Sequence, residues 1–373
     1  MSGHRKKTLV TGGAGLIGSH LVDLLIEKGH EVTVLDNLEP QTHPLGKPAW
    51  INPSAHFISG DVRNESHLRQ ALRGVRSIFH QAAFGGFSQE SSKYIDVNVN
   101  GTSKLFELIQ AEKFPVEKIV VASSQAVYGE GAYECDRDGL QFPSSRPMIQ
   151  LQEKQWEPVC PHCRGKLKVA LTSEEKPRQG ETPYALSKEF EERLALSCGA
   201  KLGIPVVALR YGVTYGPRQS LFNPYTGVIS IFSNRFLNNL SPLVYEDGRQ
   251  FRDFVFVGDV ARANLFVMEN ELANGQVFNV GSGKGTTITD LAQTLAVLYG
   301  KSIEPEIPGQ FRWGDARHIL LDSSKLKRLG FSPLTELKEG LGRFSEWLGT
   351  QQKVADSFAR AYENLKKGGV VYG

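Results

Sequence analysis

Thr8-Leu9-Val10-Thr11-Gly12-Gly13-Ala14-Gly15-Leu16-Ile17-Gly18 is the stretch that decides the fold. Residues 8–11 follow three basic residues and read as a short buried strand. The glycines at 12, 15 and 18 form a turn, and residues 19–28 read as the helix it opens. Gly29-His30 ends that helix, residues 31–35 read as a second buried strand, and Asp36 closes it. Glycines let a backbone turn tightly and approach a pyrophosphate, whose charge then sits on the helix N-terminus. A carboxylate at the end of the second strand accepts hydrogen bonds from both adenosine ribose hydroxyls. Asp36 lies 18 residues beyond Gly18, near the spacing such a site needs, and its charge would repel a 2′-phosphate. The pattern predicts NAD rather than NADP, held by Gly12, Gly15, Leu16, Ile17, Gly18, Asp36 and Asn37. A glycine-rich turn alone is a weak signal; the strand–turn–helix–strand–Asp context strengthens it.

The rest of the chain bounds this reading. It has 373 residues, 40% hydrophobic and 22% charged, with a net charge of +3. That is enough apolar content for a real core in one large domain or two moderate ones. The mild basicity is spread out and argues for no polyanionic partner such as nucleic acid. No window approaches the roughly 18 uncharged apolar residues of a membrane span. Residues 1–7 are polar and basic, with no apolar signal-peptide core, so a cytoplasmic protein without a membrane partner is expected. Four cysteines in so long a chain do not suggest a disulfide scaffold.

The G-x-x-G-x-x-G spacing and the motifs after it resemble the extended short-chain dehydrogenase/reductase family, whose members carry T-G-G-x-G-x-x-G. Gly60-Asp61-Val62 follows a third strand, where the resemblance implies that Asp61 and Val62 reach the adenine. His80-Gln81-Ala82-Ala83 follows a fourth, and the resemblance puts Ala82 and Ala83 on the nicotinamide side. Asn98-Val99-Asn100-Gly101-Thr102 opens a helix in the family's manner, with Asn98 a further cofactor contact. The implied architecture is an α/β, Rossmann-type, doubly wound and mostly parallel sheet of seven strands with a smaller C-terminal substrate-binding lobe. Residues 1–210 would form the NAD-binding domain, 211–350 mainly the substrate lobe with returning Rossmann segments, and 351–373 a charged helical tail, frayed at its end. A homodimer through the helix bearing Tyr184 and the one starting near Gly101 is a further implication.

Residues 118–123 read as a strand, followed by Ser124-Gln125-Ala126-Val127-Tyr128-Gly129; later comes Tyr184-Ala185-Leu186-Ser187-Lys188. Four residues make about one helical turn, so Tyr184 and Lys188 share a face. Oxidising an alcohol needs a base for the hydroxyl proton as hydride leaves carbon. A free tyrosine, with a pKa of about 10, is a poor base at neutral pH. A nearby ammonium and a positive nicotinamide ring favour the phenolate. Tyr184 is therefore the expected acid/base. Lys188 tunes it and holds the nicotinamide ribose. Ser124 (rather than Ser123) donates to the substrate oxygen, and Gln125 follows it into the substrate site.

The residues after Ser124 discriminate among reactions. The family's sugar 4,6-dehydratases carry Thr-Asp-Glu there and its UDP-glucuronate decarboxylases resemble Thr-Ser-Glu. Here the run is Ser-Gln-Ala, so the extra acid and base are missing. Ser, Tyr and Lys suit reversible alcohol–ketone interconversion. The expectation is an NAD-dependent epimerase of a nucleotide-diphosphate sugar, most simply a 4-epimerase of a dTDP- or UDP-(deoxy)hexose. The alternatives are a ketoreductase, an epimerase at another carbon and, from a different class, a non-catalytic NAD-binding regulator.

In the C-terminal half, Gly216-Pro217-Arg218 matches the end of a family R-Y-F-N-V-Y-G-P-R segment, with Val213 in place of its Asn. Phe251-Arg252-Asp253-Phe254 and Phe311-Arg312-Trp313-Gly314-Asp315 resemble two further segments whose arginines clamp the diphosphate. Arg218, Arg252 and Arg312 are the implied substrate contacts; Arg249 and Arg317 are weaker candidates.

Ser124 and Tyr184 stand 60 residues apart, farther than in most relatives. The excess, about 131–180, holds Cys135 and Cys160-Pro161-His162-Cys163. A C-x-x-C turn plus a distant cysteine resembles part of a zinc ribbon, making Cys135, Cys160 and Cys163 candidate ligands of a structural zinc. His162, Asp136 and Asp138 are open as the fourth. The insert, the Tyr128-Gly129-Glu130-Gly131-Ala132-Tyr133 run and residues 216–228 resemble a subgroup that includes dTDP-L-rhamnose 4-epimerases. Members of that subgroup usually show Ser-Met-Ser where this chain has Ser-Gln-Ala.

Overall fold

A computed structural model describes residues 6–86, 90–223, 227–352, 356 and 358–373. Residues 224–226, within one of the resembling segments, and residues 1–5 of the basic N-terminus lie outside the described residues.

Seven strands form one parallel sheet: β1 Lys7–Thr11, β2 Glu31–Asp36, β3 His56–Ser59, β4 Ser77–His80, β5 Lys118–Ser124, β6 Val206–Tyr211 and β7 Val277–Val280. Their spatial order is β7-β6-β5-β4-β1-β2-β3. The order reverses at β1 and β4, and a doubly wound sheet opens its ligand crevice at such a point, beyond the strand C-termini.

The strands are rich in Val, Ile and Leu because helices cover both faces. Successive side chains alternate between those faces. Val10, Val34 and Phe79 pack with Leu21 and Leu25 of α1 (Leu16–Glu27) and with Val260 and Leu265 of the helix Val257–Glu269. Leu9, Ile78 and Val121 pack on the other side with Leu105 and Ile109 of α2 (Gly101–Glu112) and Ala195 of α3 (Pro183–Leu202). Phe79 is fully buried, so truncating it to Ala would cost about 3–5 kcal/mol.

Local chemistry places α3. Thr182 Oγ1 accepts from the Ala185 amide at 3.2 Å, Pro183 occupies the first turn, and Gly203 ends the helix in the left-handed region. The turn before α2 is wound as a π-helix over Ile95–Asn100, so Asn98 sits in a wide turn rather than at a simple helix start.

The smaller lobe gathers Val213–Tyr215, Phe251–Phe256 and Gly285–Thr287 into a three-stranded sheet, packed by Phe232, Phe236, Leu291 and Phe344. The insertion forms its own antiparallel sheet of Gly139–Gln141, Ala132–Cys135 and Lys168–Ala170.

The tail departs from the expectation of a frayed end. After the helix Phe358–Lys367, Val371–Tyr372 pairs antiparallel with Phe311–Arg312. Tyr372 stacks on Phe311 with ring centroids 5.6 Å apart, and Gln310 Nε2 donates to the Gly373 carbonyl at 3.0 Å. Edge pairing and aromatic burial outweigh the flexibility of Gly368-Gly369. No helix among the described residues is long and apolar enough to cross a membrane.

Candidate active site

A cleft of ≈ 950 Å³ runs across the C-terminal ends of the strands, from the glycine turn to the smaller lobe. At its cofactor end the three glycines have different reasons to be glycine. Gly12 has φ +67°, and a Cβ there would lie 2.8 Å from the Ala82 backbone. A Cβ on Gly18 would lie 2.2 Å from the Gly12 carbonyl oxygen. At Gly15 the nearest protein atom to a Cβ would be 3.4 Å away, an ordinary contact. No contact within the described residues requires Gly15; the space that a side chain would fill lies over the first turn of α1, where amides lack helical partners and a phosphate fits.

Leu16, Ile17, Asp36, Asn37, Asp61, Val62, Ala82 and Ala83 line the same end of the cleft. Asp36 is positioned by amides: Ala14 N donates to Oδ2 at 2.9 Å and Leu38 N to Oδ1 at 2.8 Å. Burial works against the charge on Asp61. Hydrogen bonds from Arg63 and Asn37 overcome it and hold the carboxyl at about 2. The glycine cradle and the paired carboxylates fit an NAD adenosine diphosphate.

At the reacting end, Ser124 closes β5 and faces the cleft; its Oγ accepts from the Ala126 amide at 3.1 Å. Ser123 is buried and donates to Glu192 at 2.7 Å, which commits its hydroxyl elsewhere. Gln125 lines the cleft, and its buried Oε1 has no protein partner. Tyr184 sits in the first turn of α3 with its ring 6.1 Å from that of Tyr94. Lys188, one turn on, is buried, does not itself line the cleft, and donates to Glu191 at 2.5 Å.

Asn98 does not line the cleft. It is fully buried, donates to the Phe84 carbonyl at 3.0 Å and to Ser187 Oγ at 2.8 Å, and accepts from the Phe84 amide at 2.8 Å. Its amide fork braces the loop after β4 against α3, one step behind the cofactor. His80 is buried between Thr11 and Thr102 at 2.9 Å each. Burial first, and the Lys188 charge second, hold it down to about 3, so it is neutral.

At the far end, Arg252 and Arg312 both line the cleft and converge on one carboxylate. Arg252 Nη2 donates to Asp315 Oδ1 at 3.0 Å and Arg312 Nη2 to Asp315 Oδ2 at 2.6 Å. The Arg312 guanidinium also lies 4.7 Å from the Tyr245 ring centroid. Two cations to one anion leave net positive charge facing the cleft.

Arg218 departs from the expectation. Its backbone is left-handed, with φ 69°, and its side chain turns to Asp23 on α1 at 2.6 Å. It ties the loop after residues 213–215 to α1, and Gln219 takes the cleft-facing position beside it. Arg317 is fully buried among Glu157, Glu246 and Asp247 and is structural.

Sequence reasoning missed Asp315, Tyr245, Trp313 and the tail, all of which line the cleft. The only available signal was Asp315 three residues after Arg312, a spacing that lets the two side chains meet.

The NAD dependent epimerase/dehydratase family model matches residues 8–147 and 164–281. The chain belongs to that family. The short unmatched gap contains Cys160 and Cys163. The chain is 34% identical to a dTDP-L-rhamnose 4-epimerase of Burkholderia thailandensis, covering 93% of this chain and 96% of that protein. It is 36% identical to a putative UDP-glucose 4-epimerase of Methanocaldococcus jannaschii, covering 91% and 97%. Among solved structures, UDP-glucose 4-epimerase of Thermotoga maritima with UDP-glucose superimposes with a TM-score of 0.75 at 31% identity, over 92% of this chain and 98% of that one. The Thermus thermophilus UDP-glucose 4-epimerase complex with NAD gives 0.73 at 30% identity, over 92% and 100%. The expectations of the fold, of NAD dependence and of an epimerase-type enzyme are met.

Proposed function

We propose that this chain is a nucleotide-sugar 4-epimerase that works on a dTDP- or UDP-linked hexose or deoxyhexose. One observation carries the reading. Ser124, Gln125 and Tyr184 face the same cleft as the glycine cradle, and the Arg252–Asp315–Arg312 cluster stands at its other end. A sugar diphosphate fits between an oxidising centre and a cationic anchor.

Bound NAD supplies a reversible hydride acceptor. Tyr184 takes the C4 hydroxyl proton and later returns it. Ser124 Oγ donates to that same oxygen, and Gln125 Oε1 receives a sugar hydroxyl. Lys188 keeps positive charge beneath Tyr184 and holds the cofactor ribose. Arg252 and Arg312 grip the diphosphate, bidentate guanidinium forks suiting phosphate oxygens. A keto sugar that turns over while its diphosphate stays anchored can be reduced on the opposite face. Neither position after Ser124 carries a carboxylate, which leaves no side chain there to expel water from C5–C6.

Two finer points belong to the same reading. Leu186 and Phe190, four residues apart on α3, are 38% and 47% exposed, which supports a homodimer closed through α3 and α2. A cytoplasmic location is part of the same reading.

The test is incubation of the purified chain, without added cofactor, with dTDP- and UDP-sugars deuterated at C4, followed by NMR. Interconversion of C4 epimers with the label retained is the expected result. Turnover only with added NADH or NADPH would replace this reading with a reductase.

A further inference from the structure

Away from the cleft, the insertion brings four side chains to one point. The ligand atoms of Cys135, Asp138, Cys160 and Cys163 all lie within 4.8 Å of one another. Cys135 Sγ is 3.5 Å from Cys163 Sγ and 3.6 Å from Asp138 Oδ2, and Cys160 Sγ is 3.1 Å from the same oxygen. A tetrahedral zinc with Zn–S bonds of about 2.3 Å requires neighbouring sulfurs about 3.8 Å apart. A disulfide requires about 2.05 Å and would leave the third sulfur facing a carboxylate. His162 and Asp136 are both exposed; Asp136 pairs with Lys168.

The backbone is shaped to the same end. The Cys160 amide donates to the Gly165 carbonyl at 2.9 Å and the Arg164 amide to the Cys160 carbonyl at 3.0 Å. Arg164 is left-handed, with φ 61°. This closes a tight knuckle that aims both sulfurs inward, opposite the turn between residues 135 and 139. No side chain among residues 161–168 is buried, so hydrophobic packing does not account for the order of this loop.

We propose that Cys135, Asp138, Cys160 and Cys163 hold a structural zinc ion that fixes the insertion against the cationic, Arg252–Arg312 end of the substrate cleft. The connection runs through ion pairs in which Arg146 and Arg317 are buried while Glu157 reaches the surface. Glu157, three residues before Cys160, accepts from Arg317 Nη2 at 2.6 Å and pairs with His318 at 3.0 Å. Arg146 donates to the Trp156 carbonyl at 2.9 Å, to Glu246 at 2.9 Å and to the Asp315 carbonyl at 2.8 Å. Asp315 is the carboxylate that holds Arg252 and Arg312. Glu157 and Arg146 are thus positioning residues, and the zinc clamps the loop that presents Glu157 and the Trp156 carbonyl. The metal assignment stands apart from the proposed function; only its consequence for substrate rests on that reading.

The experiment uses the full chain, purified without chelator or metal-affinity tag. Zinc is measured by mass spectrometry, and Co(II) replacement is followed for a thiolate charge-transfer band. An equimolar zinc content is expected, lost in Cys160→Ser, weakened in Asp138→Asn and retained in Cys163→His. Chelation of the folded wild type should raise KM for the sugar nucleotide severalfold and weaken UDP binding by calorimetry, with NAD retention unchanged. Added zinc should restore both. Absence of zinc together with absence of a Co(II)–thiolate band overturns the metal site. Zinc removal that leaves UDP affinity unmoved overturns the coupling, and this readout holds even if no sugar is turned over.

Discussion

The Lys188 ammonium lies 2.5 Å from the Glu191 carboxylate, and both side chains are shut off from solvent. Glu191 is three residues along the same helix face, so the pair is intrinsic to α3. Burial pushes Glu191 up to about 7, with Lys188 opposing. Near neutral pH the carboxylate therefore gains its charge and offsets that of the ammonium, one helical turn from Tyr184. Glu191→Gln should move the acid limb of the kcat–pH profile to lower pH by about one unit. An unmoved limb would show that Glu191 does not act on Tyr184 through Lys188.

Tyr184→Phe removes the only proton acceptor assigned to the sugar hydroxyl. Its kcat should fall about 10²–10⁴-fold, with NAD retention and melting temperature near wild type. Ser124→Ala loses one hydrogen bond and should fall by about tenfold. Single-turnover measurements on C4-deuterated substrate would separate these losses from product release. Full activity in Tyr184→Phe would remove Tyr184 from the proton-transfer role.

Arg252 and Arg312 share Asp315, so the three act as a unit. A charged hydrogen bond contributes about 1.5–3 kcal/mol, and Arg252→Ala or Arg312→Ala should each raise KM about 10- to 100-fold. Asp315→Ala should weaken UDP binding although it removes a negative charge, because it frees both guanidiniums from their positions. Arg218→Ala should leave KM nearly unchanged, since that side chain is engaged with Asp23. A large KM effect at Arg218 would contradict the geometry.

The glycines can be told apart by substitution. Gly18→Ala drives a Cβ into the Gly12 carbonyl and should destabilise the fold itself. Gly15→Ala meets no protein atom closer than 3.4 Å. It should fold with a normal melting curve yet lose NAD, as read by absorbance of the released cofactor. Retained NAD in folded Gly15→Ala would remove the cradle argument.

His80 gives a stability prediction. Its folded pKa, about 3, lies below the ordinary histidine value of 6.5. Between those values the unfolded chain binds the proton and the folded chain does not, so stability falls as pH drops from 6.5. The contribution is about 1.4 kcal/mol per pH unit. Urea denaturation of wild type and His80→Gln across that range should show wild type losing the extra stability. Parallel pH slopes would mean that His80 is not held neutral.

The legible parts of this chain are those whose chemistry is local. A glycine turn, a strand-end Asp36 and a Tyr184–Lys188 helical turn are each decided within a few residues, and a parallel sheet follows from alternating buried strands and helices. The unread parts depend on partners distant in the chain. Asn98 looks like a cofactor contact until its amide is seen bridging Phe84 and Ser187. Arg218 matches a family segment, yet a left-handed backbone turns it onto Asp23. The cysteines suggested a metal, but only the fold brings Asp138, rather than Asp136 or His162, to their sulfurs.

The amino-acid sequence by itself determined the Rossmann frame, the preference for NAD and the placing of Tyr184 one helical turn before Lys188, because backbone conformation and short spacing dictate them. The tertiary structure decided which arginines face the cleft, how Asp315 joins them, and that the tail pairs beside Arg312. Those outcomes rest on ion pairs and edge pairing between segments tens to hundreds of residues apart, which the packed core alone can bring within reach.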